Sequence, residues 1–196
     1  MGRLIYGAIA SLDGFVEDAS GDFQWAAPDD EVMAHVTELD RPIGTYLYGR
    51  RMYETMRYWE DEPAGSSELD HLWAAQWRAA TKVVYSRSLD SVTTANTLLE
   101  RSFDAAAVRA LADAASADVT IGGAQLAGQA LAAGIVDELQ LYAQPVIVGG
   151  GKPWLPTGVA IGLELLESRR FAGGAVFLRY GVAAVSRVAS TRNRRE

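Results

Sequence analysis

Two short stretches carry residues suited to holding a multiply charged anion: Gly49-Arg50-Arg51 and Gly122-Gly123. Each follows an apolar run that reads as a strand (Thr45 to Tyr48, Asp118 to Ile121) and precedes residues at helical spacing. A helix start presents backbone N–H groups with no partner inside the helix, together with the positive end of its dipole. Glycine there lets a phosphate reach the backbone. Neither stretch has dinucleotide G-x-G-x-x-G or Walker spacing, so each alone also reads as an ordinary turn. Arg50 and Arg51 sharpen the reading, because two cations at a helix N-terminus sit at the wrong end of the dipole. A bound phosphate resolves that conflict and accepts paired hydrogen bonds from guanidinium groups. The alternative is two solvated arginines. A third candidate, Ser86-Arg87-Ser88, places hydroxyls and a guanidinium after the apolar run Lys82 to Ser86, where they suit a ribose phosphate or a polar turn.

Asp30 is the candidate acid. It follows Trp25-Ala26-Ala27-Pro28-Asp29 at a helix start. A carboxylate partly buried there could pass a proton to a substrate nitrogen. The competing reading is compensation of the helix dipole. Trp25 and Tyr53 are expected nearest the cleft, while Trp73 and Trp77 at helical spacing read as core or dimer contact. His35 and His71 lack the matched carboxylate spacing of a metal site, and no metal is expected.

The elements that position these residues alternate. Arg3 to Ala10 reads as a strand, Ser11-Leu12-Asp13-Gly14 as a turn, and the stretch to Trp25 as a loop. A helix starts at Pro28, and another runs from Gly49 to about Trp59. Asp61 to Ser67 is a loop, followed by an amphipathic helix marked by Leu69, Leu72, Trp73 and Trp77. After the strand Lys82 to Ser86, Thr93 to Leu98 is a further strand candidate. Asp104 to Ala115 is helical, and a helix after Gly123 stops at Gly134. Glu138 to Val148, Leu163 to Phe171 and Ala175 to Val182 close the chain as strands. This pattern predicts an α/β fold with a mostly parallel mixed sheet, a C-terminal antiparallel hairpin and helices on both faces.

Composition narrows the function. The chain of 196 residues suits one domain over 1–185, with a basic tail at 186–196 that reads as a frayed terminus. A net charge of −7 speaks against nucleic-acid binding. No apolar run is long enough to span a bilayer, and no signal peptide is apparent, so a cytoplasmic location is expected. With no cysteine, a catalytic thiol, a disulfide framework and a thiolate metal site are all excluded.

In this order the residues resemble the dihydrofolate reductase-like fold, and within it the reductase domain of the bifunctional riboflavin-biosynthesis deaminase–reductases and their stand-alone relatives. The resemblance covers about residues 3 to 182. It rests on Ser11-Leu12-Asp13-Gly14-Phe15, on Tyr48-Gly49-Arg50-Arg51-Met52-Tyr53-Glu54, and on Ile121-Gly122-Gly123-Ala124-Gln125-Leu126 leading to Gly134-Ile135-Val136-Asp137-Glu138-Leu139. It implies NADPH as cofactor: Gly49, Arg50 and Arg51 at the phosphates, Ser86 and Arg87 near the adenosine end, Gly122, Gly123, Ala124, Gln125 and Leu126 along the pyrophosphate, and Val16 near the nicotinamide. Trp25 to Asp30 is similar to the tryptophan, proline and acid of the dihydrofolate reductase pteridine pocket, which puts Asp30 at the acid's position. Phe15 and Ile121 stand where riboflavin-pathway reductases usually have a basic or small polar residue and a glutamate, so these two are expected to line an altered substrate pocket.

Three readings stay open: a reductase of a phosphoribosylaminouracil type of pyrimidine, a pterin-type reductase using Asp30, and a dimeric dinucleotide-binding module without turnover. The resemblance also implies a homodimer, for which the apolar strand Leu139 to Val148 offers a shared edge.

Overall fold

The computed structural model describes residues 1–61 and 67–183. Its ten strands are β1 (Leu4–Ser11), β2 (Phe15–Asp18), β3 (Ile43–Gly49), β4 (Thr81–Tyr85), β5 (Thr97–Glu100), β6 (Asp118–Gly122), β7 (Glu138–Gln144), β8 (Gly151–Pro153), β9 (Leu163–Arg170) and β10 (Val176–Val182). The helices are α1 (Asp30–Leu39), α2 (Arg50–Met56), α3 (Glu68–Ala79), α4 (Ala105–Ala114) and α5 (Ala124–Ala132). Eight strands form one sheet in the order β5-β4-β3-β6-β1-β7-β10-β9. The first six are parallel, and the hairpin β9–β10 adds antiparallel strands beside β7. This is the expected mixed sheet.

Alternation along the strands divides the core. On one face Leu4, Tyr6, Leu47, Val83, Val119, Ile121 and Leu139 pack against Val108 and Ala112 of α4 and Leu126, Ala130 and Leu131 of α5. On the other, Tyr46, Tyr48 and Val84 meet Met33 of α1, Tyr53 of α2 and Trp73 and Trp77 of α3. Lys82 is buried at the end of α3, where its ammonium donates to the Trp77 and Arg78 carbonyls and lies over the Trp77 ring. A cation at a helix C-terminus matches the dipole there.

Some boundaries differ from expectation. α1 begins two residues after Pro28 because the Asp29 carboxylate caps the Val32 N–H at 2.9 Å. β7 stops at Gln144, since Pro145 cannot donate to a ladder. A two-stranded ribbon of β2 and β8 replaces what reads as loop on either side. β7 lies between β1 and β10, so the strand expected to be a shared dimer edge is interior, and that expectation fails. The 186–196 tail, with Arg192 to Arg195, and most of the Asp61 to Ser67 loop lie outside the described residues.

Candidate functional site

The parallel strands bring the three polar stretches to one edge of the sheet. Tyr48 pairs with Gly122 across β3 and β6, and Gly49 pairs with Tyr85 across β3 and β4, so Gly49-Arg50, Gly122-Gly123 and Ser86-Arg87 follow neighbouring strand ends. The helices that leave β3 and β6 depart to opposite faces: α2 joins the α1/α3 side and α5 the α4 side. Adjacent parallel strands whose helices diverge leave a crevice beyond their carboxyl ends, the place where open α/β sheets take ligands.

The glycines of this crevice have different reasons. A Cβ on Gly122 would sit 2.8 Å from the Tyr48 ring and 3.3 Å from Met52, so packing alone requires glycine. Gly123 has φ +94° and caps α5, which also favours glycine. At Gly49, in contrast, an added Cβ meets nothing within 4 Å and φ is −78°. Nothing in the fold demands glycine there, and the backbone at the start of α2 is open to an approaching group. Along the first turn of α5, Ala124 is half-buried, Gln125 is exposed and Leu126 is buried in the core, so only the start of this segment faces outward.

The cations at this edge are loosely held. Arg50 reaches Glu54 at 3.3 Å, and Arg51, with 71% of its side chain exposed, reaches Glu17 of β2 at 3.8 Å. Arg87 is exposed with no hydrogen bond or ion pair among the described residues. Ser86 is buried, and its hydroxyl accepts the Ser88 and Leu89 N–H groups at 3.3 and 3.0 Å. It shapes the turn that carries Arg87, and Arg101 fastens the same turn through the Ser86 and Leu89 carbonyls.

The β2–β8 ribbon carries further groups. Lys152 of β8 pairs with Glu17 at 2.5 Å, so this carboxylate serves Lys152 and Arg51 together. Glu17, Asp18, Ser20, Gly21, Arg51 and Lys152 line a shallow concavity of about 530 Å³. Asp13 accepts the Val148 and Gly149 N–H groups at 3.2 and 2.8 Å, tying the β1–β2 turn to the glycine loop before β8. The Ser11 hydroxyl first, and then those backbone hydrogen bonds, hold its carboxyl below the usual range. Sequence reasoning missed Glu17 and Lys152; the positive φ angles of Gly149, Gly150 and Gly151 mark a sharp turn that three successive glycines already signal. Phe15 and Val16 are half-buried on this ribbon.

Among the expected pocket residues, two belong elsewhere. Tyr53 is 1% exposed, and its phenol oxygen accepts the Thr93 N–H at 2.9 Å and the Thr94 N–H at 3.3 Å, anchoring the chain before β5. Burial alone would push this phenol up, but the hydrogen bonds from Thr94 and Thr93 bring it below its ordinary value. Ile121 is fully buried on the α4/α5 face, in the core rather than the cleft, because the strand alternation that points Tyr48 one way points Ile121 the other.

Trp25 lies in a short turn of 3₁₀ helix (Gln24–Ala26); it is half-buried and its indole N–H is enclosed without an acceptor among the described residues. Three acids then follow Pro28. Asp29 caps α1, while Glu31 accepts the Ala172 N–H at 2.8 Å and pairs with Arg169 at 3.6 Å. Asp30 between them is exposed and makes no hydrogen bond or ion pair among the described residues, so the partial burial expected of it is not observed. Farther along α1, His35 meets the Tyr142 hydroxyl at 2.7 Å among Tyr142, Phe171 and Phe177. Burial, assisted by Arg169, lowers its pKa.

This geometry has known counterparts. Residues 3–177 match the RibD C-terminal domain family. The uncharacterized protein YyaP of Bacillus subtilis (strain 168) is 27% identical over 185 residues, which is 91% of this chain and 94% of YyaP. A pyrimidine reductase-like protein from Corynebacterium diphtheriae superposes with a TM-score of 0.67 at 17% identity, covering 94% of this chain and 93% of its own. Dihydrofolate reductase from Enterococcus faecalis, solved with NADP(H), superposes with a TM-score of 0.60 at 16% identity, covering 93% and 98%. Family and fold support an oxidoreductase of the riboflavin-pathway reductase type. With its match running through nearly the whole described sheet, the chain belongs to the RibD C-terminal domain family and carries it on a dihydrofolate reductase-like fold.

Proposed function

We propose that the protein is an NADPH-dependent reductase that delivers hydride to a C=N or C=O of a small heterocycle or its ring-opened sugar, with a ribosylaminouracil of the riboflavin pathway as first candidate. The carrying observation is that the open backbone at Gly49 and the loosely held Arg50, Arg51 and Arg87 follow the carboxyl ends of the neighbouring strands β3 and β4. These residues fit a phosphorylated dinucleotide: the N–H groups of the first turns of α2 and α5 donate to anionic oxygens, and the guanidiniums compensate phosphate charge. NADPH when bound supplies the hydride chemistry. The chain's own work is to bind and orient, with the turn held by Ser86 and Arg101 presenting Arg87 for the adenosine end. Val16 and Phe15 on the β2 ribbon are assigned to the nicotinamide and substrate side. A homodimer in the cytoplasm is part of this reading; among the described residues no helix is long and apolar enough to cross a membrane.

A second reading, a pterin-type reductase, is favoured by one observation: of three consecutive acids, only Asp30 is uncommitted among the described residues, five positions after Trp25, whose indole N–H has no acceptor among them. The two readings separate by turnover. NADPH consumption is followed with 5-amino-6-(5-phosphoribosylamino)uracil and with dihydrofolate. The first reading expects consumption with the pyrimidine, and the Asp30→Asn variant keeps it. The second expects consumption with the pterin and its loss, by about a hundredfold or more, in Asp30→Asn at unchanged NADPH affinity. No consumption with either compound contradicts both.

A further inference from the structure

Three charged side chains meet where the β2–β8 ribbon passes α2, and one of them has the wrong sign for a phosphate site. Glu17 of β2 lies directly across the ribbon from Lys152 of β8. Its Oε1 atom faces two cations at once, the Lys152 ammonium at 2.5 Å and the Arg51 guanidinium at 3.8 Å. The two contacts are not equivalent. The Glu17 and Lys152 side chains are only 24% and 21% exposed, whereas that of Arg51 is 71% exposed. Glu17 and Lys152 are the fixed members of this group, and Arg51 is the movable one.

Backbone contacts on both sides hold Lys152 in place. At Gly151, φ is +138° and an added Cβ would run into the Glu17 carbonyl oxygen, so glycine is what lets β8 approach β2 this closely. On the other side of Lys152, the Trp154 N–H donates to the Gly14 carbonyl at 3.0 Å. The Asp13 carboxylate secures the loop before β8. Asp18, which shares the concavity over this group, is already turned onto the Ser20 and Asp22 N–H groups.

A carboxylate beside a guanidinium that binds phosphate competes with that phosphate and repels it. An ammonium on the same carboxylate oxygen cancels most of that charge. We propose that Glu17 is a competitor built into the dinucleotide edge, and that Lys152 keeps it weak enough to yield. Glu17 holds Arg51 when no nucleotide is bound, gives it up to a nucleotide phosphate, and retakes it as spent cofactor leaves. Both are positioning residues that act through Arg51, and their role rests on the dinucleotide reading above.

A purely structural pair makes a different prediction from this one. Breaking a brace from either side loosens the ribbon alike, so both single variants would shift affinity in the same direction. The proposal requires opposite directions. NADPH affinity of the full chain is measured by calorimetric titration at low salt, with circular dichroism verifying each fold. Glu17→Gln frees both cations and should tighten binding by about three- to fivefold. Lys152→Gln leaves Glu17 unbalanced and should weaken binding by about the same factor. The double variant should fall between them, near wild type, and the differences should shrink at about 0.5 M salt. Should Lys152→Gln not fold, Glu17→Gln and the charge-keeping Lys152→Arg decide, with tighter and unchanged binding expected. Shifts of the same sign in both single variants, or unchanged affinity in Glu17→Gln, would overturn the proposal while leaving a chain that binds NADPH. Inorganic pyrophosphate is titrated into the same samples to separate the two ideas. Pyrophosphate binding with opposite signs but no NADPH binding removes the NADPH reading and keeps the competitor, and binding of neither removes both.

Discussion

The two ends of the parallel strands use charge in opposite ways. At the amino ends every acid named here is matched. Arg3 joins Asp118, through its backbone N–H at 2.8 Å and its guanidinium, to Glu138 at 2.6 Å. Asp137 accepts the Leu4 N–H and the Arg109 guanidinium, each at 2.7 Å, and Arg109 also pairs with Asp113 at 3.0 Å. At the carboxyl ends Arg50 and Arg51 are exposed and reach their partners at 3.3 and 3.8 Å, and Arg87 has none among the described residues. One end is closed by its own chain, while the other keeps its cations available to an anion. The difference teaches where to look for function: a charge that folding has already matched is a poor candidate for a ligand.

Substitutions at the two ends should therefore separate stability from binding. The largest stability effect is expected at Glu138, whose side chain is 3% exposed and holds both Arg3 and Gln140. Glu138→Ala should cost about 2–3 kcal/mol, at the low end for a broken buried pair because Arg3 is half exposed, and leave NADPH affinity unchanged. Chemical denaturation beside a binding titration checks this, and a large loss of affinity in a folded variant would blur the distinction.

The glycines make the same comparison within the carboxyl-end edge. Gly122→Ala drives a methyl group into the Tyr48 ring and should destabilise by about 1–3 kcal/mol. Gly49→Ala has room, so its stability cost should stay under about 1 kcal/mol, while dinucleotide affinity falls by about tenfold as backbone access is lost. Equal behaviour of the two variants in both assays would remove the assignment of Gly49 to binding.

A smaller effect depends on pH and lies at neither end. Asp40 closes α1 among Tyr46, Tyr48 and Tyr142, and burial pushes its carboxyl up to about 6, partly offset by the Tyr46 hydroxyl at 3.3 Å. The folded state then holds this proton more tightly than the unfolded chain. The favourable contribution is complete below the ordinary value of 3.8 and is lost as pH rises through about 6. Asp40→Asn should raise the melting temperature at about pH 8, by the equivalent of about 1–2 kcal/mol, and change it little at about pH 3.5. A pH-independent difference would contradict that assignment.

Much of the fold is legible in the sequence because its signals are local. Apolar runs, the glycines after β3 and β6 and the Gly134 stop mark their elements directly. The β2–β8 ribbon is not legible: it is short, broken by Pro153, and pairs residues more than a hundred positions apart. The placement of the candidate residues at strand ends is legible in the sequence, while the direction in which a side chain points is not. Ile121 and Tyr53 lie close in sequence to the candidate glycines and point into the core. Glu17 and Lys152 come together only through the ribbon. Val136-Asp137-Glu138-Leu139, one of the stretches that carry the resemblance, belongs to the amino-terminal edge and serves folding, which no spacing rule distinguishes from function.

The most direct test of the central claim is a titration of the protein with NADPH and with NADH, read by quenching of tryptophan emission. Binding at the crevice predicts micromolar affinity for NADPH and an affinity for NADH weaker by at least about tenfold, since only the former carries a ribose phosphate for the arginines. Equal affinities would contradict the role of the arginines, and no binding of either would contradict the account of this edge as a dinucleotide site.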